Sequence, residues 1–345
     1  MTAETLADQF LSGLSCSGSL MQYADYLQLD RILSAQAPVS DKLSQPIHDE
    51  HFFIVLHQAN ELWFKQILVE AQYVLSTPPD DPVFFELTKQ KVDRITMIEQ
   101  LLISHLDLIL TLDAEQFLQL RRLLSTASGS QSLQFMLIEA VVGVGRIEHA
   151  EGSDKLRQGS ERDRLLAATQ AQSLHDVVAD ALVAEWSRYR YCATVEAHEA
   201  KWLPLLQSQQ QMVMPDSNCY VFKEQSDRIH AVDCFDRLPV SAALMALQAA
   251  TGNLPRHKVM HDLLTSLVQV EELILAWRRR HAELARTLLD KLPGTGGSSG
   301  YSYLKANVDA QRSSALRSVL ALAKSAPGAN AHHNTDGIAP TPLLV

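Results

Sequence analysis

The sequence predicts an all-α protein, built as a bundle of long helices in one large domain. Three observations carry this. Apolar residues recur at three- and four-residue spacing along most of the 345 residues. Alternating strand patterns are scarce. Several of the 14 glycines and 13 prolines gather between Pro293 and Gly300 and after Pro327, which leaves the regions before them free of breakers. With 46% hydrophobic and 20% charged residues, the chain has enough apolar surface for a large core.

The elements follow in order. His48 to Leu68 carries Phe53, His57 and Glu61 at four-residue spacing, on one helix face. The stretch before it, Gln36 to Pro46, is polar and proline-bearing and reads as a loop. From Phe84 to Leu110 the apolar stripe runs through Leu87, Val92, Ile95, Ile98, Leu101, Leu102, Leu106 and Ile109, with Lys89, Lys91, Asp93 and Arg94 mostly on the other side. Asp113 followed by Gln116 has the spacing of a capping box and opens a helix through Leu124. Gln207 to Asp233 shows little period and reads as a long loop. A second long stripe, from Pro255 to Leu289, includes Val259, Leu263, Leu267, Val270, Ile274, Trp277, Leu284 and Leu288. Pro255 suits the first turn of that helix, and Pro293-Gly294 stops it. A single domain is therefore expected over 1–326, with a flexible tail over 327–345.

Charge and cysteine usage narrow the function. A net charge of -10 and a pI near 5.7 disfavour nucleic acid and anionic membranes as partners. Cys16, Cys192, Cys219 and Cys234 form neither a zinc pattern nor a disulfide framework, so a reducing cytoplasm is expected. The acidic start lacks the features of a signal peptide, and no apolar run is long enough to span a membrane.

Thirteen histidines offer candidates for chemistry. His281 lies in WRRRH, one turn after Trp277, with Leu284 and Leu288 beyond. Such a stripe can line a flat apolar cofactor, with a neutral imidazole as ligand to haem iron. It can equally be a core edge with a satisfied histidine. Phe53, His57 and Glu61 can form an aromatic wall, a proton-handling group and its orienting partner, or an ordinary amphipathic helix with a polar seam. Arg121 follows Phe117 by one turn. That pair is shaped to grip a carboxylate by a two-bond fork, against the alternative of a surface ion pair; Arg122 is the better surface candidate. The run GTGGSSG, Gly294 to Gly300, holds four glycines and the hydroxyls of Thr295, Ser298 and Ser299. It lets backbone approach a ligand closely, but lacks the ending of a phosphate-binding loop. A linker is its plain alternative.

Five ordered segments together resemble one family. They are YADYLQLDRILSAQ (Tyr23 to Gln36), HDEHFFIVLHQANELWFKQIL (His48 to Leu68), SGSQSLQFMLIE (Ser128 to Glu139), WRRRH (Trp277 to His281) and GTGGSSGYSYL (Gly294 to Leu304). In this order they resemble the tryptophan 2,3-dioxygenases, closely over 20–145 and 255–304. The resemblance implies an all-α bundle whose long helices enclose a haem pocket, a homo-oligomer (tetramer or dimer), and O2-dependent cleavage of the indole 2,3 bond of tryptophan to N-formylkynurenine. It implies His281 as the iron ligand and His57 as the catalytic distal histidine meeting the indole N–H. Phe53 would pack over the substrate, Arg121 would pair with its carboxylate, with Phe117 beside it, and Thr295 would meet its ammonium and carboxylate. Tyr23 and Tyr26 would complete a neighbouring subunit's pocket. Trp277, Gly296 and Ser298 are placed beside the cofactor.

Three departures matter. Phe117 stands where some relatives carry tyrosine. Residues 184–254 diverge from the family pattern. Ala285 stands where a related haem group carries a cysteine that attaches haem covalently, so non-covalent haem b is expected. The divergence leaves two other readings open: a sister monooxygenase giving an oxindole-type product, and a haem-binding bundle without turnover.

Overall fold

A computed structural model of the chain describes residues 22–125, 127–144, 159–189, 195–213, 230–232, 237–252, 254–289, 301, 304–305, 308 and 315–325. These residues are almost entirely helical, as the periodicity predicts. Two short helices, α1 (Tyr23–Leu27) and α2 (Leu29–Leu33), lead through a 3-10 turn at Val39–Lys42 into α3 (His48–Leu75). Then come α4 (Phe84–Ile109), α5 (Ala114–Leu124), α6 (Leu133–Val142), α7 (Ser160–Gln170), α8 (Leu174–Tyr189) and α9 (Val195–Val213). After a two-stranded ribbon, α10 (Val240–Thr251), α11 (Pro255–Leu289) and α12 (Ala315–Ser325) complete the described chain.

The breaks follow backbone chemistry. Pro78, Pro79 and Pro82 cannot continue a helix, so α3 stops, and the Ser76 and Thr77 hydroxyls both donate to the freed Tyr73 carbonyl at 2.9 Å. α6 ends on Gly143, whose φ of 100° is left-handed backbone, and a Cβ there would meet the Ser173 hydroxyl at 2.8 Å. α11 starts at Pro255 as expected; its 35 residues make a rod about 52 Å long.

That rod organises the molecule. α11 packs along α4, and α3 lies against α4 and α6. α10 sits between α8, α11 and α12. The facing stripes supply the core: Val92, Ile95, Leu102, Leu263, Leu267 and Ile274 are fully buried. The predicted loop over 207–233 differs in part. Residues 207–213 continue α9, and His230–Val232 pairs antiparallel with Arg237–Pro239. Pro204 inside α9 weakens the local helix signal, which is why the pattern there is hard to read. The tail over 327–345 and all four cysteines lie outside the described residues.

Candidate active site

α3 places Phe53 and His57 one turn apart, with ring centroids 4.0 Å from each other. His57 Nδ1 lies 2.7 Å from the Phe53 carbonyl oxygen. A carbonyl only accepts, so Nδ1 carries the proton and donates it, and Nε2 keeps a free lone pair. Burial holds the imidazole below its ordinary value, against the opposing pull of the Phe53 bond and Glu61. His57 is therefore neutral at neutral pH. Glu61 is not its hydrogen-bond partner, contrary to the sequence reading. The Glu61 carboxylate and carbonyl instead accept from Gln134 Nε2, at 2.7 and 2.8 Å. The Phe53 carbonyl orients the ring.

α5 brings a second wall. Phe117 stands 6.4 Å from Phe53, ring to ring, and Arg121 follows one turn later. Arg121 Nη1 is buried and has no hydrogen-bond partner among the described residues, while Arg122 is exposed. A covered guanidinium nitrogen without a partner is costly, and it marks a place where a carboxylate fits. α5 is fixed to the start of α3 by reciprocal bonds. The Asp113 N–H donates to Asp49 at 2.8 Å, and the Asp49 N–H donates to the Gln116 side chain at 3.2 Å. Asp113 also caps α5 by accepting from the Gln116 N–H at 2.9 Å. The predicted capping box is thus half made: Gln116 turns to α3 rather than back to Asp113.

α11 supplies the third wall. Trp277 and His281 are 5.0 Å apart, and Trp277 rests on Phe135 at 4.5 Å and on Phe64 at 6.3 Å. Leu284 closes the same side and is buried. Burial first, and then the neighbouring His57, push the His281 imidazole down to about 4. It is neutral across the physiological range. Neither ring nitrogen has a hydrogen bond among the described residues, and the ring is not wholly covered. Iron needs a deprotonated imidazole nitrogen with a free lone pair, and an apolar wall around it. His281 with Trp277 and Leu284 meets those requirements. Residue 285, next to this wall, is an alanine and offers haem no thiol.

Residues 10–190 and 222–316 match the family model described as tryptophan 2,3-dioxygenase. The chain belongs to the tryptophan 2,3-dioxygenase family. It is 34% identical to the tryptophan 2,3-dioxygenase of Xenopus tropicalis over 320 residues, covering 83% of this chain and 77% of that one. It is 33% identical to the Rattus norvegicus protein of the same name at the same coverage. The Aedes aegypti protein is 30% identical, covering 84% of this chain and 81% of its own.

Phe53, His57 and Phe117 thus pack together, with Arg121 one turn beyond Phe117, and His281, beside Trp277, lies near enough to feel the charge of His57. Thr295, Gly296 and Ser298 lie outside the described residues. Tyr23 and Tyr26 are not drawn into the cleft of their own chain. They stand 76% and 72% exposed, on a helix that buries nothing. A concavity of about 630 Å³, lined by Ala59, Leu62, Trp63, Gln66, Arg94 and Ile98, opens between α3 and α4 and includes none of these residues. Sequence reading missed Asp49, Gln134 and Phe135, whose contacts cross 64 residues or more and leave no local spacing. It also missed three buried charged residues, Glu99, Glu139 and Arg278, the last two of which form an ion pair.

No helix among the described residues is long and apolar enough to cross a membrane.

Proposed function

We propose that this protein is a haem-dependent dioxygenase that cleaves the 2,3 bond of the indole ring of L-tryptophan to give N-formylkynurenine. What supports this is the neutral His57, packed on Phe53 and Phe117 and near the neutral His281, together with the buried, unpartnered nitrogen of Arg121 one turn beyond Phe117. Haem b, bound without a covalent link, would be held through His281, with Trp277, Gly296 and Ser298 as further cofactor-binding residues. When bound, it supplies the activation of O2 that side chains alone cannot provide.

The chain's own residues do the rest. Arg121 takes the substrate carboxylate by charge-assisted hydrogen bonds, and Thr295 meets the ammonium and carboxylate. Phe53 and Phe117 pack on the indole and exclude water. His57 accepts a hydrogen bond from the indole N–H at Nε2, the nitrogen its Phe53 contact leaves free. Fixing both ends of the amino acid in this way orients the ring and removes most of its rotational freedom before reaction. The protein works as a homo-oligomer in the cytoplasm, where the exposed Tyr23 and Tyr26 of one subunit complete the pocket of another.

The family match leaves out 191–221, inside the segment whose pattern diverges. That supports keeping the oxindole-forming monooxygenase as the second reading. Incubating the reduced, haem-loaded protein with L-tryptophan in air decides the matter. Appearance of N-formylkynurenine is expected. An oxindole product, or no product from a haem-replete sample, overturns the proposal.

A further inference from the structure

The chain ahead of α3 is held unlike the rest of the fold. Of residues 22–46 only Ser40 is buried, and α1 and α2 bury nothing. Tyr23, Tyr26, Leu33 and Val39 are all more than half exposed. Helices of five residues do not hold themselves in water, and this strap has no buried apolar side chain to hold it on the bundle. Polar contacts hold it instead, and they come from two residues of α3. The Glu50 carboxylate, itself buried, accepts from the Val39 N–H and the Ser40 N–H, one on each oxygen, both at 2.8 Å. The Ser40 hydroxyl in turn accepts from the Ile47 N–H at 2.9 Å. About two turns along α3, Gln58 Nε2 donates to the Ala35 carbonyl at 3.0 Å, and Gln58 Oε1 accepts from Gln36 at 2.6 Å.

We propose that Glu50 is a positioning residue: its carboxylate, with Gln58, clamps the strap over 22–42 onto α3, so that the exposed Tyr23 and Tyr26 are presented ready-set to the cleft of a second copy of this chain. That role rests on the reading that these tyrosines complete a neighbouring pocket; the clamp itself does not. A glutamate at the third position of a helix ordinarily reaches back to the N–H just before the helix. Here the Ser40 hydroxyl takes that N–H, from Ile47, and Glu50 reaches ten and eleven residues back to the strap. Burial alone would raise the Glu50 carboxyl, but the bonds from Ser40 and Val39 outweigh it and hold it below its ordinary value. Glu50 is therefore ionised at neutral pH, and its bonds to the strap are charge-assisted, the stronger kind.

The clamp shares its supports with the cleft. Glu50 precedes Phe53 by three residues on α3, and Gln58 directly follows His57. The Val39–Lys42 turn that Glu50 holds packs against α5, the helix of Phe117 and Arg121. A strap held in one conformation before it meets the neighbour loses little further freedom on docking. Releasing it makes the neighbouring pocket harder to complete and leaves His57 and Arg121 in place, so substrate affinity suffers before the chemical step does.

Kinetics and hydrogen exchange on the full-length protein test the proposal. In the haem-loaded protein, Glu50→Ala should raise KM for L-tryptophan by about tenfold, the worth of one charge-assisted hydrogen bond, and leave kcat within about twofold of wild type. Glu50→Gln, which keeps one acceptor oxygen, should recover part of the loss. Mixed oligomers of Glu50→Ala and His281→Ala chains, co-expressed with separate tags and purified through both, should regain a component with the wild-type KM. In them an intact cleft receives an intact strap from its neighbour. An unchanged KM in Glu50→Ala, a fall in kcat alone, or a KM that stays raised in the mixed oligomers overturns the proposal. Hydrogen exchange needs no haem: the Val39 and Ser40 amides should be protected in wild type and exchange faster in Glu50→Ala, and equal exchange overturns the clamp. If Glu50→Ala does not fold, Gln58→Ala releases the other end of the strap and carries the same expectations. Tyr23→Ala and Tyr26→Ala separate the two layers. If neither raises KM, the neighbouring-pocket reading fails and the positioning role with it; if they raise KM and Glu50→Ala does not, that reading stands and the role of Glu50 alone falls.

Discussion

Replacing Arg121 by glutamine separates binding from folding in one experiment. In the substrate-free protein, Arg121 Nη1 is covered and has no partner among the described residues, so its burial costs stability that none of them repays. Glutamine keeps part of the stem and removes the charge. The variant should therefore unfold no more easily than wild type. With substrate, the balance reverses. A hydrogen bond to a charged group contributes roughly 1.5–3 kcal/mol, which corresponds to a loss of roughly 10- to 150-fold in kcat/KM for L-tryptophan at about 1.4 kcal/mol per decade. The loss should nearly vanish for tryptamine, which has no carboxylate to pair. Initial rates of the reduced, haem-loaded protein on both substrates, together with a thermal unfolding curve, supply the readout. A fall of less than about threefold on tryptophan, or an equal fall on both substrates, refutes the assignment. A loss of stability beyond about 2 kcal/mol would show instead that Arg121 is paired within the fold.

Four further outcomes follow from the geometry. His57→Gln should lower kcat/KM for tryptophan by a few-fold to about tenfold, the worth of one neutral hydrogen bond, and leave 1-methyl-tryptophan, which lacks the indole N–H, unaffected. Ile274→Ala should cost about 2–5 kcal/mol in chemical unfolding, because the side chain is fully buried between α11 and α4. Asp113→Ala should cost about 1 kcal/mol for the lost cap, and Asp49→Ala should raise KM, because it removes the acceptor of the Asp113 N–H that sets α5 against α3. Glu99 predicts a pH trend: its folded value is raised to about 8 from an ordinary 4.5. The folded state then binds a proton that the unfolded state releases, so its contribution is intact below about pH 4.5 and is lost as pH rises to about 8. Glu99→Gln should therefore gain stability over wild type at pH 8 but not at pH 5, read from denaturant midpoints.

How much of this is legible in the sequence depends on the range of each interaction. Helical spacing repeats every few residues, so α4, α5 and α11 are visible with close boundaries and α3 as far as Leu68, and the shared faces of Phe53 with His57 and of Trp277 with His281 follow from it. Whether those faces meet is set by long-range packing, and only the joint resemblance of five segments pointed there. The Glu61 error shows the limit: at spacing four it looks like the partner of His57, but Gln134, 73 residues away, claims it. Glu99 sits among Ile98, Gln100 and Leu101 with nothing local to distinguish it from a solvated glutamate. Its burial comes from the helices packed on α4, which come from far along the chain.

The central claim is that this cleft inserts both atoms of O2 into tryptophan. Turnover of L-tryptophan by the reduced, haem-loaded protein under labelled dioxygen, with product masses recorded, tests it most directly. A ring-opened product carrying two labelled oxygen atoms, absent with His281→Ala, is the predicted result. A product with its indole ring intact and one labelled atom, or full turnover by His281→Ala, would contradict it.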